Sequence, residues 1–176
     1  TDALRYGADR AQVRYALALT LAGSGRLDAA VEELQRVLAL QPQHDAARSR
    51  LGAVLAQQGK IDEALAEFDK AIALRPRFWG HYSALGLILL QAGRYPDAAD
   101  AFKRVIELQP DSAFGYQQLG FVYHSLGNLD EAVANYRKAI AIAPMAQAYS
   151  NLGVILHQRK DYAGAVDAYQ QAIALR

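Results

Sequence analysis

Apolar residues recur along this chain with the spacing of a helix rather than that of a strand. Leu51, Val54 and Leu55 follow that spacing, and after Gly59 it resumes from Ile61 to Ile72. An apolar stripe every three to four residues predicts an amphipathic helix whose apolar face meets a core. Because glycine often ends a helix in the left-handed conformation, Gly59 is predicted to form the turn between two such helices.

The pattern repeats at a fixed interval. Pro42, Pro76, Pro110 and Pro144 lie 34 residues apart. Proline disfavours helix in the preceding residue and cannot donate to a continuing helix, so each closes a repeat. Alignment on the prolines predicts five repeats, residues 11–44, 45–78, 79–112, 113–145 and 146–176, called repeats 1 to 5, with positions counted from the first residue of each. Repeat 5 is shifted by one residue and carries Lys160 where the others have the turn glycine.

Certain residue types return at the same positions. Leucine and mostly glycine occupy positions 7 and 8, glycine position 15, alanine position 20 and a bulky residue position 24, as in Leu51, Gly52, Gly59, Ala64 and Phe68. The small residues at positions 8 and 20 predict a close approach of the two helices. This signature resembles the tetratricopeptide repeat family. The resemblance implies an all-α fold, a right-handed superhelical solenoid of about five helix-turn-helix units, whose inner groove binds a peptide or a partner protein.

Residues 1–10 precede the first repeat. Ala3, Leu4 and Tyr6 fall at offsets that fit the tail of an upstream second helix. The segment is therefore predicted to be either a leader or the remnant of an upstream repeat.

Charged residues concentrate on the second helix of each repeat. Residues 79–92 and 113–126, which form the first helices of repeats 3 and 4, contain no Asp, Glu, Lys or Arg. In the family the first helices line the groove, mainly through the residues at positions 2, 5, 9, 12 and 13. Gly80 and Gln147, at position 2 of repeats 3 and 5, are therefore also expected to face inward. The expected partner-binding groove comprises Tyr15, Leu19, Arg50, Ala53, Gln57, Ser83, Leu87, Leu90, Gln91, Phe114, Gln117, Phe121, His124, Ser150, Val154 and His157.

Such a lining favours a protein or peptide partner that presents an apolar or neutral segment. The leading hypothesis is a noncatalytic protein–protein interaction scaffold. Uncharged helices are also typical of buried ones, covered by neighbours or by a dimer partner. A self-associating homo-oligomeric module is therefore an alternative.

A third hypothesis is an interaction domain from a larger bacterial enzyme. The run from Arg75 to Trp79 and the join from Pro144 to Gly153 resemble repeat arrays attached to bacterial serine/threonine kinases. A subclass of the family that grips a chaperone's C-terminal carboxylate is not matched, because only Arg50 and Asn151 carry fitting residue types, and in the wrong repeats.

Other classes of function find no support in the sequence. The formal net charge is +1 and there is no cysteine, so nothing indicates nucleic-acid binding or thiol chemistry. No apolar run is long enough to insert across a bilayer. No catalytic motif, cofactor motif or metal-binding spacing is present. We expect no cofactor and no metal, because His124 and His157 lie on adjacent helices, too far apart to share an ion easily.

Overall fold

The chain folds into paired α-helices in the computed structural model, which describes the backbone of residues 2–175 and the side chains of residues 10–175. Within those residues ten helices follow one another. Their bounds are α1 Asp2–Gly23, α2 Leu27–Leu40, α3 Asp45–Gln57, α4 Ile61–Leu74, α5 Trp79–Gln91, α6 Tyr95–Leu108, α7 Ala113–Ser125, α8 Leu129–Ile142, α9 Ala146–Gln158 and α10 Tyr162–Ala174. The predicted all-α fold of paired helices is confirmed.

Local sequence determines where most helices begin and end. Helices α3, α5, α7 and α9 begin at the first residue of repeats 2 to 5. The second helices α2, α4, α6 and α8 carry acidic residues in their first turn, such as Asp62 and Glu63 in α4, where the helix dipole favours negative charge. Side chains of His44, Ser112 and Asp161 accept hydrogen bonds from backbone amides at the starts of α3, α7 and α10.

The turn within each repeat requires the left-handed conformation. The glycine at position 15 has φ between 72° and 80° in repeats 1 to 4, including 79° at Gly59. In repeat 5 the same place is taken by Lys160 with φ 64°. The backbone is therefore preserved where the residue type is not, and a side chain with a Cβ atom is held in a region that L-residues avoid.

The first helix is longer than the repeat pattern indicated. It begins at Asp2, nine residues before Ala11, so the backbone of residues 2–10 is part of α1. The side chains of residues 1–9 lie outside the described residues, and so do the offsets of Ala3, Leu4 and Tyr6 on which an upstream helix was inferred.

Two compact units divide the chain, Thr1–Ile88 and Leu89–Arg176, here called the N-terminal and the C-terminal unit. The N-terminal unit holds a core cluster of α1 to α4 that includes Ala18, Leu34, Leu51 and Ala64. The C-terminal unit holds a second cluster, centred on Tyr136, Leu152 and Ile155 of α8 and α9. In both units the core is built from positions that recur in every repeat.

The predicted close approach of paired helices is confirmed at position 8. A Cβ atom added to Gly52 would lie 2.9 Å from the Ala64 carbonyl oxygen and 2.9 Å from the Phe68 ring. One added to Gly120 would lie 3.1 Å from the Tyr136 ring. Position 8 is thus small because the residues at positions 20 and 24 of the second helix occupy the space that a side chain would need.

Candidate functional site

A concavity of about 260 Å³ opens on the N-terminal unit. Nine residues of the first helices and of the turn before α5 line it: Tyr15, Ala46, Ser49, Arg50, Ala53, Phe78, Gly80, His81 and Ala84. Arg50 is exposed, whereas most of the other lining residues are half-buried. This concavity therefore combines one cation with aromatic rings.

A polar cluster supports its floor. His81 is only 1% exposed, and its Nε2 atom lies 2.9 Å from Asp45 Oδ2. Arg75 Nη1 donates to the same oxygen at 3.2 Å. The Phe78 ring packs edge-on against the His81 ring, with 4.8 Å between the two ring centroids. The Arg75 guanidinium carbon lies 4.5 Å from the centroid of the Phe78 ring. The cluster links the start of α3 to the start of α5 and satisfies a buried imidazole.

A second concavity, of about 250 Å³, lies on the C-terminal unit. Its lining is Leu90, Gln117, Gln118, Phe121, Gln147 and Asn151, none of which is charged. Leu90 and Phe121 offer apolar surface, and Phe121 is 38% exposed. The remaining four side chains are amides, each with both donor and acceptor groups.

Hydrogen bonds to the core hold part of the amide lining in place. Gln147 Nε2 donates to Asn151 Oδ1 at 2.9 Å, and Asn151 Nδ2 donates to the Tyr136 hydroxyl at 3.1 Å. The hydroxyl itself is buried, since Tyr136 has no exposed surface. Burial raises the pKa of Tyr136 to about 12, although the hydrogen bond from Asn151 acts in the opposite direction. Tyr136 therefore stays neutral and orients the wall of the concavity.

The structure brings together some of the predicted groove residues. Tyr15, Arg50 and Ala53 line the N-terminal concavity, and Leu90, Gln117 and Phe121 line the C-terminal one. Exposed or half-buried but outside both linings are Leu19, Gln57, Leu87, Gln91, Phe114, His124, Ser150, Val154 and His157.

Ser83, also predicted to line the groove, is only 9% exposed, because position 5 of repeat 3 is packed. Little of its side chain is therefore accessible to a partner.

Position 6 was the main omission from the sequence-based groove. Besides Arg50, three residues at that position line a concavity, namely Ala84, Gln118 and Asn151. The cluster around His81 was also missed, because Asp45 and His81 are 36 residues apart in sequence. The available signal was a histidine at position 3, where repeats 2, 4 and 5 have the small residues Ala47, Gly115 and Ala148.

Two kinds of feature are missing from the part of the chain that the structure describes, namely metal-binding clusters and membrane-spanning helices. No group of three or more His, Asp or Glu residues is placed to hold a metal ion there. None of the helices in that part combines the length and the apolarity needed to cross a membrane.

Family models agree with the geometry over nearly the whole chain. A model described as tetratricopeptide repeat matches residues 1–45, 15–77 and 50–113. A second model with the same description matches residues 111–176. The chain belongs to the tetratricopeptide repeat family. No curated protein matches it in sequence.

Solved structures of tetratricopeptide repeat proteins share the fold. A crystal structure of MamA is 26% identical with a TM-score of 0.80, covering 89% of this chain and 92% of that one. PilF from Pseudomonas aeruginosa is 18% identical with a TM-score of 0.85, covering 97% and 78%. YrrB, described as having an unusual peptide-binding site, is 22% identical with a TM-score of 0.75, covering 100% and 91%. At these low identities PilF and YrrB support the fold alone.

Proposed function

We propose that this tetratricopeptide repeat protein is a noncatalytic scaffold that binds a partner protein or peptide, and that the C-terminal concavity receives an apolar or neutral segment of it. The observation that carries the proposal is the lining of that concavity, four amides and two apolar side chains without a charge. Membership of the family supports the general class, and YrrB, which shares the fold, is itself described as having a peptide-binding site.

The amides match the groups that an extended peptide exposes. A peptide backbone offers one N–H and one C=O per residue, and glutamine and asparagine side chains can satisfy both. Among the described residues, the side chains of Gln117 and Gln118 make no hydrogen bond within the chain. The side-chain amide oxygen of Gln147, Oε1, likewise accepts no hydrogen bond there. These groups are therefore available to a ligand.

The lining also discriminates against charge. A ligand carboxylate or ammonium placed against Phe121 and Leu90 would lose water without gaining an ion partner, which is costly. A small apolar side chain on the ligand would instead cover the exposed part of the Phe121 ring. We therefore expect neutral segments to bind in preference to charged ones.

Panning a random-sequence peptide library on the immobilised chain tests the proposal. We expect the selected peptides to be poor in charged residues and to bind in solution, as measured by fluorescence anisotropy. Phe121→Glu should weaken the selected peptides by tenfold or more, about 1.4 kcal/mol, because it places a carboxylate in the neutral lining.

Leu126→Glu is the matched control. Leu126 is as exposed as Phe121, at 38%, but lies outside the lining. It should leave the affinity unchanged, as should Arg50→Ala in the other concavity. Equal binding by wild type and Phe121→Glu would show that the site is elsewhere, and a library enriched in acidic peptides would contradict the predicted neutral ligand.

A further inference from the structure

The amide side chains of the C-terminal concavity come from two first helices. Gln117 and Gln118 lie on α7, whereas Gln147 and Asn151 lie on α9. All four are primary carboxamides, so each has an NH₂ group that donates and an oxygen that accepts. The other two residues of the lining are apolar. Every side-chain hydrogen bond that the lining can offer to a ligand therefore comes from a carboxamide.

Hydrogen bonds within the chain fix the direction of the two amides on α9. Asn151 Nδ2 donates to the Tyr136 hydroxyl at 3.1 Å, and Asn151 Oδ1 accepts from Gln147 Nε2 at 2.9 Å. Each of the two nitrogens then keeps one hydrogen, and Gln147 Oε1 keeps its full capacity to accept. Helix α9 therefore presents donors and an acceptor in an orientation that a buried hydroxyl sets.

The two amides on α7 have no partner within the described part of the chain. Gln117 and Gln118 are both half-buried and make no hydrogen bond there. A ligand that covered them without pairing them would leave buried donors and acceptors unsatisfied, which is costly. The group that enters the concavity must therefore both donate and accept.

Few neutral groups of a peptide can do both against one amide. A hydroxyl has a single donor. In a trans peptide group the C=O and the N–H point in opposite directions, so one peptide group cannot use both on the same amide. A primary carboxamide carries an N–H and its oxygen on one edge, so it closes two hydrogen bonds with another carboxamide. The best complement of this lining is a carboxamide side chain.

We infer that the C-terminal concavity holds a glutamine side chain of the bound segment, with its carboxamide paired to the amides of α7 and α9. The inference rests on the proposed function and names the residue that the neutral lining selects. Phe121, 38% exposed, and Leu90 offer apolar surface to the methylene groups of that side chain. The concavity of about 250 Å³ has room for one such side chain.

Methionine and glutamate are the informative competitors of glutamine. Methionine has a similar length and is neutral, but it cannot donate and would leave the amides unpaired. Glutamate has the shape of glutamine, but its ionised carboxylate only accepts and brings a charge to a lining without a cation. A general preference for neutral segments admits methionine, whereas a site for a carboxamide discriminates against it.

An NMR titration of the isotope-labelled 176-residue chain tests the inference. The probes are N-acetylated, C-terminally amidated peptides Ala-Ala-X-Ala-Ala, in which X is glutamine, methionine or glutamate. We expect the glutamine peptide to shift the side-chain NH₂ signals of Gln118 and Asn151. Its affinity should exceed that of the methionine peptide by about tenfold, through the added hydrogen bonds, and the glutamate peptide should bind most weakly.

Two variants test whether the amides make the selection. Gln147→Leu removes one carboxamide, and Tyr136→Phe removes the hydroxyl that orients Asn151. Phe68 and Phe102 occupy the position of Tyr136 in repeats 2 and 3 and are completely buried, so Tyr136→Phe should fold. Both variants should lower the affinity for the glutamine peptide toward that for the methionine peptide. Because the methionine peptide makes no use of the amides, its own affinity should not fall.

Gln158→Leu is the matched control. Gln158 is exposed and lies on the same helix as Gln147, but outside the lining. This variant should keep the full preference for glutamine.

The outcomes separate this inference from the proposed function. Equal affinities of the wild type for the glutamine and methionine peptides would overturn the inference and leave the neutral ligand in place. Tightest binding of the glutamate peptide would overturn both. Full preference for glutamine in Gln147→Leu and Tyr136→Phe would overturn the assignment to these amides. Shifts from none of the three peptides would also overturn it, and the panned peptides would then decide the proposed function on their own.

Discussion

The N-terminal and C-terminal units join their paired helices with different chemistry at the same positions. In repeats 1 and 2, positions 4 and 23 are ion pairs, Arg14 with Glu33 at 2.7 Å and Arg48 with Glu67 at 3.2 Å. In repeats 4 and 5 the same positions hold Tyr116 with Asn135 and Tyr149 with Ala168. The repeat geometry thus tolerates at these positions either an ion pair or an aromatic ring with a smaller partner.

Position 24 differs in the same way. It is Phe68 in repeat 2, within the N-terminal unit, and Tyr136 in repeat 4, within the C-terminal unit, and both are completely buried. Only tyrosine has a hydroxyl, which reaches Asn151 and so connects the core to the lining of the concavity. One buried position is thus purely structural in repeat 2 and orients a surface in repeat 4.

The largest expected effect concerns the close contact at position 8. Gly52→Ala should destabilise the N-terminal unit by about 3 kcal/mol, because the added Cβ atom would meet a backbone carbonyl that cannot move aside. Gly120→Ala should cost the C-terminal unit about 1 kcal/mol, since only the Tyr136 ring must shift. Urea denaturation combined with hydrogen exchange of each unit measures both. Equal losses would remove this distinction between the units.

The next largest effect is a loss of stability of the C-terminal unit at alkaline pH. Because the pKa of folded Tyr136 is raised from 10.0 to about 12, its contribution to stability is complete below pH 10 and is lost as pH rises through 12. The loss should be about 2 kcal/mol. Tyr136→Phe should flatten this part of the profile, whereas Tyr162→Phe at an exposed site should not. A profile unchanged by Tyr136→Phe would contradict the prediction.

At acid pH we expect a loss of stability of the N-terminal unit. Burial alone would raise the pKa of Glu33, but hydrogen bonds and charge from Arg14 and Arg36 hold that pKa below 4.5. The ion pairs therefore stabilise the fold above about pH 4.5, and this contribution is lost as pH falls through the lowered pKa of the folded state. Glu33→Gln should cost about 1 kcal/mol at neutral pH and reduce the acid dependence.

Glu32→Gln is the matched control for that measurement, because Glu32 is exposed and lies 3.6 Å from the same Arg36. It should change stability little at any pH. If both variants lost the same stability, the partly buried ion pair of Glu33 with Arg14 would contribute no more to stability than the exposed pair of Glu32 with Arg36.

The smallest effect concerns the turn of repeat 5. Lys160→Gly should stabilise the C-terminal unit by about 0.5 to 1 kcal/mol, because glycine adopts φ 64° without a steric cost. Gly127→Ala, at φ 80° in repeat 4, should destabilise by about 1 kcal/mol. Thermal denaturation of the two variants checks the opposite signs. A loss of stability in Lys160→Gly would mean that the lysine side chain makes a contact that offsets the strain.

The sequence was sufficient for most of the secondary structure because its signals are local. Apolar periodicity, turn glycines such as Gly59 and the closing prolines act within one or two helical turns. They predicted where helices α3, α5, α7 and α9 begin. Asp2 as the start of α1 was not predicted, since no cap or breaker in residues 1–10 marks it.

The candidate site was predicted only in part. Register assigned Gln117 and Phe121 to the inner face, but it could not show that position 6 joins the lining or that Ser83 is packed. Those outcomes depend on how closely neighbouring helices pack, which is decided by the side chains between the helices.

The sequence by itself determined the family, the helix pairs and the absence of Asp, Glu, Lys and Arg from α5 and α7, because each follows from residue types at known positions of the repeat. Only the tertiary structure showed the cluster of Asp45, Arg75 and His81 and the link from Tyr136 to Asn151. Contacts of this kind arise when residues far apart in sequence are packed side by side, and no local pattern encodes that packing.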